Sequence, residues 1–448
     1  MADISHIFKA YDIRGKVGSE LSEDLMKNLG LVFGNWLPAA GAVAVGRDMR
    51  PDSAALAAAV IEGLKASGRD VWDIGEVTSD MIYFAVGEHQ LAGGVMITAS
   101  HNPGEYNGVK LCREEARPVS LEAGLGEIRD IVLGRSLPAA AAESGTVSQK
   151  SLAEGWINHV LDFVEPDKLK PLRIAVDAGN GMAGAIFPEL EVHVPWETTE
   201  MYFELDGAFP NHEANPLKFE TLTDLIKTIK NNNLDGGIAF DGDGDRAFLI
   251  DETGAVLTGG VMSALMSDYF LKKFPGSPIV YDVRNSRTVP DVIEAAGGKP
   301  IISRVGHSLI KQTMREHDAP FGGEASGHFY FRDNWYADSG LIGAVIGLYA
   351  AGLTGKKLSE LREQYTHYNA IPETNFEVQD KDVVLNELKE TFKDNKQSTL
   401  DGLTVDLDGA WFNVRASNTE PLLRLNAEAS SQEQLDKLVA KLTQIISK

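Results

Sequence analysis

Short apolar runs that end in polar, glycine-containing turns recur along the chain, and each of these runs is typical of a strand that breaks into a loop. A first set of such strands begins at Val43, Ile174 and Ile279, and a segment that can be helical follows each one. A second set lies downstream within each unit and begins at Gly94, Gly237 and Ile301. Three weak copies of one strand-loop-helix design predict three related α/β domains.

The chain after about Tyr368 has a different pattern, which predicts a smaller α+β domain. The final helix is preceded by a capping-box pattern at Ser431 and Gln434, and the apolar residues from Leu435 to Ile446 fall on one of its faces. The other predicted elements are an extended segment at 374–378, a polar helix near 384–392, and strands at 403–407 and 411–414.

Changes in composition place the domain boundaries. Residues 137–148 are mostly small and predict a linker, a helical pattern at 152–163 opens the next unit, and a further break falls near Gly254. We therefore expect domains at residues 1–148, 149–253, 254–367 and 368–448.

The length and charge of the chain limit its partners. At about 100 to 200 residues per domain, 448 residues predict two to four domains with at least one cleft between them. The chain has 42 Lys and Arg against 65 Asp and Glu, a net charge of −23. Because this field repels polyanions, we expect no nucleic-acid partner and no anionic membrane partner.

Cysteine usage and apolar runs predict a cytoplasmic protein. Cys112 is the only cysteine, so no intrachain disulfide can form. Polar residues interrupt the N-terminal segment, which therefore lacks the apolar core of a signal peptide. The longest apolar stretch, 341–353, is too short to span a membrane and predicts a buried helix capped by Asp338 or Ser339.

The first loop that can carry chemistry contains Ser100. An apolar strand delivers Thr98-Ala99-Ser100-His101-Asn102-Pro103 into a turn, and Lys110 lies nearby in the sequence. Serine is a weak nucleophile without a base, a metal or an electropositive site. Ser, His, Asn and Pro are also common turn residues. For this segment taken alone, an ordinary turn is the better interpretation.

The second loop holds carboxylates at every other position, at Asp241, Asp243 and Asp245, followed by Arg246. Glycines between them let the backbone curl around a hard cation such as Mg²⁺ or Ca²⁺, and without an ion the three charges repel one another. An EF-hand is excluded because Arg246 occupies the position that needs glycine, and residues 247–250 predict a returning strand. The alternative interpretation is a plain acidic hairpin turn.

Two further loops are polar and rich in hydrogen-bonding groups. Glu324, Ser326 and His328 lie among glycines and suit the hydroxyls of a polyol, although a glycine-rich connector has the same composition. The loop that starts at Arg415 offers the donors that a phosphate dianion requires, through Arg415, Ser417, Asn418 and Thr419. Its alternative is a polar hairpin between two strands. Arg14, in Tyr11-Asp12-Ile13-Arg14-Gly15, is either a second phosphate contact or a surface ion-pair partner.

Taken in order, these segments resemble the α-D-phosphohexomutase superfamily, and in particular its bacterial phosphomannomutase/phosphoglucomutase group. The resemblance spans essentially the whole chain and is carried by YDIRG at 11–15, TASHNP at 98–103, DGDGDR at 241–246, GEASGH at 323–328 and RASNTEP at 415–421. It implies an α/β fold with four domains around a central cleft, of which the first three share a mixed sheet and the C-terminal one is a smaller α+β domain.

The resemblance also implies residue roles. Ser100 is expected to be the phosphorylated serine, and Asp241, Asp243 and Asp245 to hold Mg²⁺ together with a phosphoserine oxygen. The positions near the transferred phosphoryl group are matched by His101, Lys110 and Arg246. The positions that contact the sugar or its distal phosphate are matched by Arg14, Arg284, His307, Glu324, Ser326, Arg415, Ser417, Asn418 and Thr419.

The implied reaction interconverts hexose 1-phosphates and hexose 6-phosphates, of glucose and also of mannose. Phosphoserine 100 donates its phosphoryl group, glucose 1,6-bisphosphate forms as the intermediate and activator, and the other phosphate returns to Ser100. Lys110 or His101 is the candidate general base. A monomer is expected, although no feature of the sequence fixes the oligomeric state.

Two departures and two alternative activities qualify the expected substrate. Many relatives have lysine where this chain has Arg284. A planar guanidinium with several donors then replaces a single ammonium, which changes the geometry of the contact. Ala325 is not the glutamine usual in phosphoglucosamine mutases, which disfavours an amino sugar. Phosphoglucosamine mutase and a Mg²⁺-dependent sugar phosphatase remain the alternatives, and a non-catalytic sugar-phosphate sensor is disfavoured by the presence of both Ser100 and the three aspartates.

Overall fold

The computed structural model describes residues 4–134, 136–416 and 422–447. The chain divides into two compact units. Unit 1 comprises Met1–Leu257 and Ser326–Ser359, and unit 2 comprises Thr258–Ala325 and Glu360–Lys448. Both units are therefore built from two separate segments of the chain.

Unit 1 opens with a mixed sheet whose strand order is β1-β5-β4-β2-β3-β7, with β6 paired to β5. Its strands are β1 (Ile13–Lys16), β2 (Val43–Arg47), β3 (Val71–Glu76), β4 (Gly93–Ile97), β5 (Tyr106–Arg113), β6 (Arg117–Pro118) and β7 (Val147–Gln149). The helices are α1 (Glu23–Trp36), α2 (Ser53–Ala66), α3 (Ser79–Glu88) and α4 (Leu125–Gly134). The strands β2, β3, β4 and β7 are parallel, and β5 returns antiparallel to β4.

The sequence predicted a linker at 137–148, but only the first part of this stretch is one. Its last residues enter β7, where Val147 pairs with Val71 of β3. The free edge of β3 presents unpaired backbone groups, and a short extended segment of any composition can satisfy them. The small residues therefore predict the start of this connection correctly, but their composition gives no sign of the strand β7 at its end.

The second sheet of unit 1 has the order β12-β11-β10-β8-β9. Its strands are β8 (Leu172–Asp177), β9 (Trp196–Met201), β10 (Gly236–Phe240), β11 (Ala247–Asp251) and β12 (Val256–Leu257), with helices α5 (Ala153–Leu161), α6 (Ala183–Glu191) and α7 (Thr223–Asn232). The returning strand predicted at 247–250 is β11, which pairs antiparallel with β10.

Unit 2 begins with three parallel strands, in which β13 lies between β14 and β15. These strands are β13 (Pro278–Asp282), β14 (Lys299–Ser303) and β15 (Phe321–Gly323), and the helices are α8 (Gly259–Lys273), α9 (Thr288–Ala295) and α10 (His307–His317). The chain then returns to unit 1 as a hairpin and a helix, β16 (Phe329–Phe331), β17 (Ala337–Asp338) and α11 (Gly340–Thr354).

The repeat is confirmed in these sheets, but the sequence aligned its third copy wrongly. The strand that contains Ile301 is β14, which follows the central strand β13 directly, as β3 follows β2 and β9 follows β8. The counterpart of β4 and β10 is β15. This strand has only three residues, two of them glycine, so its apolar signal is too weak to be recognised.

The apolar stretch 341–353 forms the buried helix α11, as predicted. Ser339 caps it, since its Oγ accepts a hydrogen bond from the Ile342 backbone N–H at 3.1 Å. Among the described residues no single helix meets the length and hydropathy needed to cross a membrane, and the one combination that does is the bent pair Gly340–Thr354 and Leu358–Gln364.

The C-terminal region of unit 2 is an antiparallel sheet with two helices, which confirms the predicted α+β pattern. Its sheet has the order β18-β23-β22-β21-β20, with β19 also paired to β23. The short helix α12 (Leu358–Gln364) precedes this region, whose elements are β18 (Asn369–Ala370), β19 (Thr374–Glu377), α13 (Lys381–Thr391), β20 (Lys396–Ser398), β21 (Leu403–Leu407), β22 (Ala410–Ala416), β23 (Leu422–Ala429) and α14 (Gln432–Ile446). The Ser431 side chain caps α14, accepting from Gln434 N at 3.3 Å.

Candidate active site

The Ser100 loop follows the carboxyl end of β4 and is held in an unusual backbone conformation. Ser100 is 3% exposed and has a φ of 49°, a left-handed conformation that costs on the order of 1 to 3 kcal/mol outside glycine. Its backbone N–H donates to Thr98 Oγ1 at 2.9 Å. A buried serine kept in a strained turn is typical of a functional site rather than of an ordinary loop.

The carboxylate loop follows the carboxyl end of β10, the equivalent strand of the second sheet. Asp241, Asp243 and Asp245 are all buried, and one oxygen from each lies within 4.8 Å of the others. Oδ1 of Asp243 and Oδ1 of Asp245 are buried and have no hydrogen-bond partner among the described residues. Buried carboxylate oxygens without donors fit a hard divalent cation.

The two loops meet. Ser100 Oγ donates to Asp241 Oδ2 at 2.9 Å, and a Cβ on Gly242 would lie 2.5 Å from the Ser100 carbonyl oxygen. Glycine at 242 therefore lets the backbone of the carboxylate loop approach the serine. The predicted nucleophile and the predicted metal ligands lie together in unit 1.

Two cations neutralise the carboxylates. Lys110 Nζ, from β5, donates to Oδ2 of Asp243 and to Oδ2 of Asp245, each at 2.5 Å. Arg246 Nε donates to Asp241 Oδ2 at 2.9 Å, and its Nη2 donates to His101 Nδ1 at 2.5 Å. His101 Nδ1 also lies 3.1 Å from Ser100 Oγ.

The surroundings of the three carboxyl groups in this cluster shift their pKa values in different directions. Burial raises the pKa of Asp241 to about 7 despite Arg246. Burial has the same tendency at Asp243 and Asp245, but Lys110, together with Ser79 at Asp243 and with His328 and Arg246 at Asp245, outweighs it and lowers the pKa of both. Burial, and then the Arg246 charge, lower the pKa of His101 to about 2, so its imidazole is neutral.

Arg14, in β1, contacts the Ser100 loop. Its Nε donates to Asp12 Oδ2 at 2.7 Å, and its Nη1 donates to Asn102 Oδ1 at 2.5 Å. The guanidinium is therefore anchored beside the loop, although 22% of the Arg14 side chain is exposed. The ion pair with Asp12 does not exclude a phosphate contact, which stays a prediction.

Three neighbours of the cluster were not predicted to lie there. Ser79 Oγ donates to Asp243 Oδ2 at 2.5 Å. His328 Nδ1 lies 2.9 Å from Asp338 Oδ2 and 3.8 Å from Asp245 Oδ1, and Arg50 donates to the Ser100 carbonyl oxygen at 2.8 Å. His328 ends the glycine-rich motif at 323–328, which was a signal for it, whereas nothing in the sequence marks Ser79 or Arg50.

A second group of predicted residues lies in unit 2. Glu324, directly after β15, accepts at Oε1 from Arg284 Nη2 and from the Gly306 N–H, both at 3.3 Å. Arg284 also donates to Asp282 Oδ2 at 2.6 Å, and these carboxylates raise the pKa of its guanidinium although burial opposes them. His307 follows Gly306 as the first residue of α10. The guanidinium of Arg284, at the position where many relatives have lysine, thus contacts two carboxylates, those of Asp282 and Glu324.

The remaining predicted residues are partly described. Arg415, at the end of β22, donates through Nη2 to Glu373 Oε2 at 3.1 Å in unit 2. Ser417, Asn418 and Thr419 lie outside the described residues. The division between the units falls between Ala325 and Ser326, so Ser326 belongs to unit 1.

Sequence models of one family match the chain along most of its length. They are described as phosphoglucomutase/phosphomannomutase alpha/beta/alpha domain I at residues 5–136, domain II at 154–254, domain III at 258–368 and C-terminal domain at 373–445. The expected α/β fold of three related domains and a smaller C-terminal one is confirmed.

Similar proteins agree with this assignment. The chain is 42% identical over 427 residues to a Xanthomonas campestris pv. campestris (strain B100) protein named phosphohexose mutases, and 39% identical over 431 residues to the phosphomannomutase of Salmonella montevideo, with 94% of each chain covered in both cases. A crystal structure of a phosphoglucomutase/phosphomannomutase family protein from Burkholderia thailandensis matches with a TM-score of 0.91 and 31% identity, covering 99% of this chain and 97% of that one. The chain belongs to the phosphoglucomutase/phosphomannomutase family and is a phosphohexomutase, an isomerase.

Proposed function

We propose that this phosphohexomutase carries the transferred phosphoryl group on Ser100 and interconverts the 1- and 6-phosphates of glucose, and of mannose as well. One observation carries the proposal. The Ser100 hydroxyl is buried and donates to Asp241 at 2.9 Å, so it contacts the carboxylate cluster that would hold the metal. Neither a surface turn nor a plain acidic hairpin requires that contact.

Asp241, Asp243 and Asp245 would hold Mg²⁺ together with an oxygen of the phosphorylated Ser100. The donor set supports this, because it consists of oxygen ligands and includes two buried carboxylate oxygens with no partner among the described residues. Bound Mg²⁺ supplies positive charge that neutralises the phosphoryl oxygens.

The cationic side chains stabilise the charge that spreads over the equatorial oxygens of the transferred group. Lys110 is suited to this role because its carboxylate partners raise its pKa, although burial opposes them, so that the ammonium stays charged. Arg246 and Arg14 supply further guanidinium donors on the same loop cluster.

Of the two candidate bases, His101 rather than Lys110 would accept the proton of the attacking sugar hydroxyl, because the raised pKa of Lys110 keeps its ammonium protonated. The imidazole of His101 is neutral and contacts Ser100 Oγ, but its low pKa makes it a weak base while Arg246 faces it. A phosphoserine dianion beside His101 would raise its pKa. His101 would therefore be a stronger base in the phosphorylated enzyme.

A further set of the predicted residues would recognise the substrate. Glu324, held by Arg284 and the Gly306 N–H, presents a fixed carboxylate to sugar hydroxyls, with Ser326 and His307 as further contacts. Arg415 would bind the distal phosphate with Ser417, Asn418 and Thr419. Glucose 1,6-bisphosphate is then the intermediate, which turns end for end before its other phosphate returns to Ser100.

The remaining features of the proposal concern the whole chain. The four domains would divide at residues 148, 253 and 367, and the protein would act in the cytoplasm as a monomer on small hexose phosphates. Its net charge of −23 supports the expectation that nucleic acids and anionic membranes are not partners.

A Ser100→Ala variant tests the phosphoserine. We expect mutase turnover to fall by at least about a thousand-fold, as for other nucleophile deletions, and the wild-type Ser100 peptide to gain the mass of one phosphate after incubation with glucose 1,6-bisphosphate. Ser148→Ala, at an exposed serine of β7, is the control and should keep full turnover. Full turnover of Ser100→Ala would exclude the proposed carrier.

A side-by-side assay on glucose 1-phosphate, mannose 1-phosphate and glucosamine 1-phosphate tests the substrate. We expect similar kcat/KM values for the first two sugars, because Glu324 would contact hydroxyls that both share. A strong preference for glucosamine 1-phosphate would indicate an amino-sugar mutase. Steady release of inorganic phosphate would indicate a phosphatase.

A further inference from the structure

We infer that Arg50 is a positioning residue for the phosphoryl transfer, because it fixes the backbone of the Ser100 loop from behind. The inference rests on the phosphoserine function proposed above. Arg50 precedes α2 and is far from Ser100 in the sequence. Its side chain is nevertheless fully buried against the loop, with an exposed fraction of 0%.

The guanidinium of Arg50 donates to four backbone carbonyls of this loop. Its Nη2 donates to Ser100 O at 2.8 Å and to Asn102 O at 2.6 Å. Its Nη1 donates to Pro103 O at 2.9 Å and to Tyr106 O at 2.8 Å. A single planar fork therefore joins both ends of the turn that carries the serine.

Arg50 is itself held from the opposite side. Its Nε donates to Asp48 Oδ2 at 3.2 Å, and Asp48 Oδ1 accepts from Ser53 Oγ at 2.5 Å. The Phe209 ring covers the guanidinium at 5.3 Å from its centroid, and a Cβ on Gly207 would lie 2.6 Å from the Arg50 Cα. The fork is thus fixed before any substrate binds, which is what preorganisation of a reacting group requires.

The contact with the Ser100 carbonyl has a direct consequence for the nucleophile. Ser100 has a left-handed backbone, and its carbonyl lies between the Arg50 fork and the backbone of Gly242. Fixing this peptide sets the direction of the Ser100 side chain toward Asp241. Because each catalytic cycle uses Ser100 twice, as donor and as acceptor, the oxygen must return to the same position.

Lysine cannot replace this fork. An ammonium offers three donors from one nitrogen, whereas the four carbonyls are contacted through two separate guanidinium nitrogens. Arg50→Lys keeps the charge beside Asp48 and loses the span between Ser100 O and Tyr106 O. Arg50→Met removes both the charge and the span.

The experiment compares Arg50→Lys and Arg50→Met with matched variants of Arg69. Arg69 also donates to a series of backbone carbonyls, those of Gly34 in α1 and of Leu37 and Ala39 after that helix. Within the described part of the chain it makes no hydrogen bond to the Ser100 loop, and it lies outside the catalytic machinery. For each variant kcat, KM, the thermal midpoint and the hydrolysis rate of the phosphorylated enzyme are measured with glucose 1-phosphate and glucose 1,6-bisphosphate.

We expect both Arg50 variants to lose about 10- to 100-fold in kcat, the scale of a small misplacement of a reacting group, with KM changed less than about threefold. Phosphoserine hydrolysis should become faster, because a loosened loop admits water. The Arg69 variants should lose thermal stability but keep kcat and phosphoenzyme lifetime per folded molecule.

Three outcomes overturn the inference or its basis. If Arg50→Lys keeps wild-type kcat and phosphoenzyme lifetime, the fork does not position Ser100. If the Arg50 variants lose activity only in proportion to their folded fraction, as the Arg69 variants do, the role is structural. If wild-type enzyme takes no phosphate on Ser100, the proposed function fails first, and this inference fails with it.

Discussion

At the scale of single residues, Gly242 controls how closely the carboxylate loop approaches Ser100. A Cβ there would lie 2.5 Å from the Ser100 carbonyl oxygen, and that atom belongs to backbone that Arg50 holds. We expect Gly242→Ala to lower kcat by about 10- to 100-fold by displacing Ser100, while Mg²⁺ affinity measured by calorimetry changes little.

Gly134→Ala is the control for this change, because nothing lies within 4 Å of the added carbon. It should leave kcat at the wild-type value. Wild-type kcat in Gly242→Ala would mean that the Ser100 loop adjusts freely to its neighbour.

Lys110 would have two effects in the proposed mechanism, and a variant can distinguish them. Its ammonium contacts two of the three carboxylates at 2.5 Å, so it would compete with a bound divalent cation as well as stabilise phosphoryl charge. We expect Lys110→Met to bind Mg²⁺ about tenfold more tightly, since removal of one adjacent positive charge is worth over 1 kcal/mol at intermediate dielectric, and to lose turnover. Weaker Mg²⁺ binding in the titration would contradict the competition.

Sequence reasoning found the residues whose chemistry is visible in a short motif. Ser100 follows an apolar strand, and three aspartates alternate with glycine, so the chain itself marks both loops. Arg50 was missed because its partners are backbone carbonyls, and any residue type has those. Which arginine contacts which carbonyl depends on how α2 packs against β4, and no short sequence motif indicates that packing.

At the scale of elements, α1 and α2 pack through glycine. A Cβ on Gly63 would lie 2.0 Å from Lys27 O, and one on Gly30 would lie 2.2 Å from Val60 O. Because both obstacles are backbone atoms, we expect Gly63→Ala to destabilise the fold by about 1 to 3 kcal/mol despite the better helix propensity of alanine. Thermal or urea unfolding measures this change.

Gly155→Ala in α5 is the matched helix variant. Its added carbon would meet Phe84 Cζ at 3.4 Å, an ordinary contact. It should be neutral or stabilise the protein by up to about 1 kcal/mol. Equal destabilisation of the two variants would show that helix packing is not the cause.

Strands with a strong apolar pattern were predicted well, and weak ones were not. The central strands β2, β8 and β13, the hairpin strand β11 and the capped helices α11 and α14 match their predicted positions. β15 was missed because Phe-Gly-Gly has little strand propensity, and β7 because its pairing depends on a partner far away in the chain. Such strands form through tertiary context.

At the scale of the whole molecule, His159 connects helix α5 to residues 332–336 within unit 1. Its ring lies 5.2 Å from that of Trp335 and 5.3 Å from that of Phe84, and its Nε2 lies 3.1 Å from Asn334 Oδ1. Burial lowers the pKa of His159, although the Asn334 hydrogen bond and the nearby charges of Glu88, Asp162 and Asp333 oppose the shift.

A histidine with a lowered pKa stabilises the folded state above its unfolded pKa of about 6.5 and loses that contribution as the pH falls. We therefore expect the thermal midpoint to drop between about pH 8 and about pH 5.5, and His159→Gln to reduce the size of that drop. His193→Gln, at an exposed histidine, is the control and should behave as the wild type. An unchanged drop in His159→Gln would assign the acid sensitivity to other groups.

The two-segment construction of unit 1 has a consequence for the order in which the site can form during synthesis. A Cβ on Gly340 would meet Gly244 O at 2.6 Å, and the Ser339 hydroxyl donates to buried Asp80 at 2.5 Å, so residues at the start of α11 complete the wall around the carboxylate loop. Chains emerge from the ribosome N-terminus first, and the first part of unit 2 separates this wall from the loop it covers. A nascent chain therefore contains Ser100 and the three aspartates before it contains the residues that enclose the carboxylate loop, and this enclosure can be completed only after the first segment of unit 2 has been synthesised.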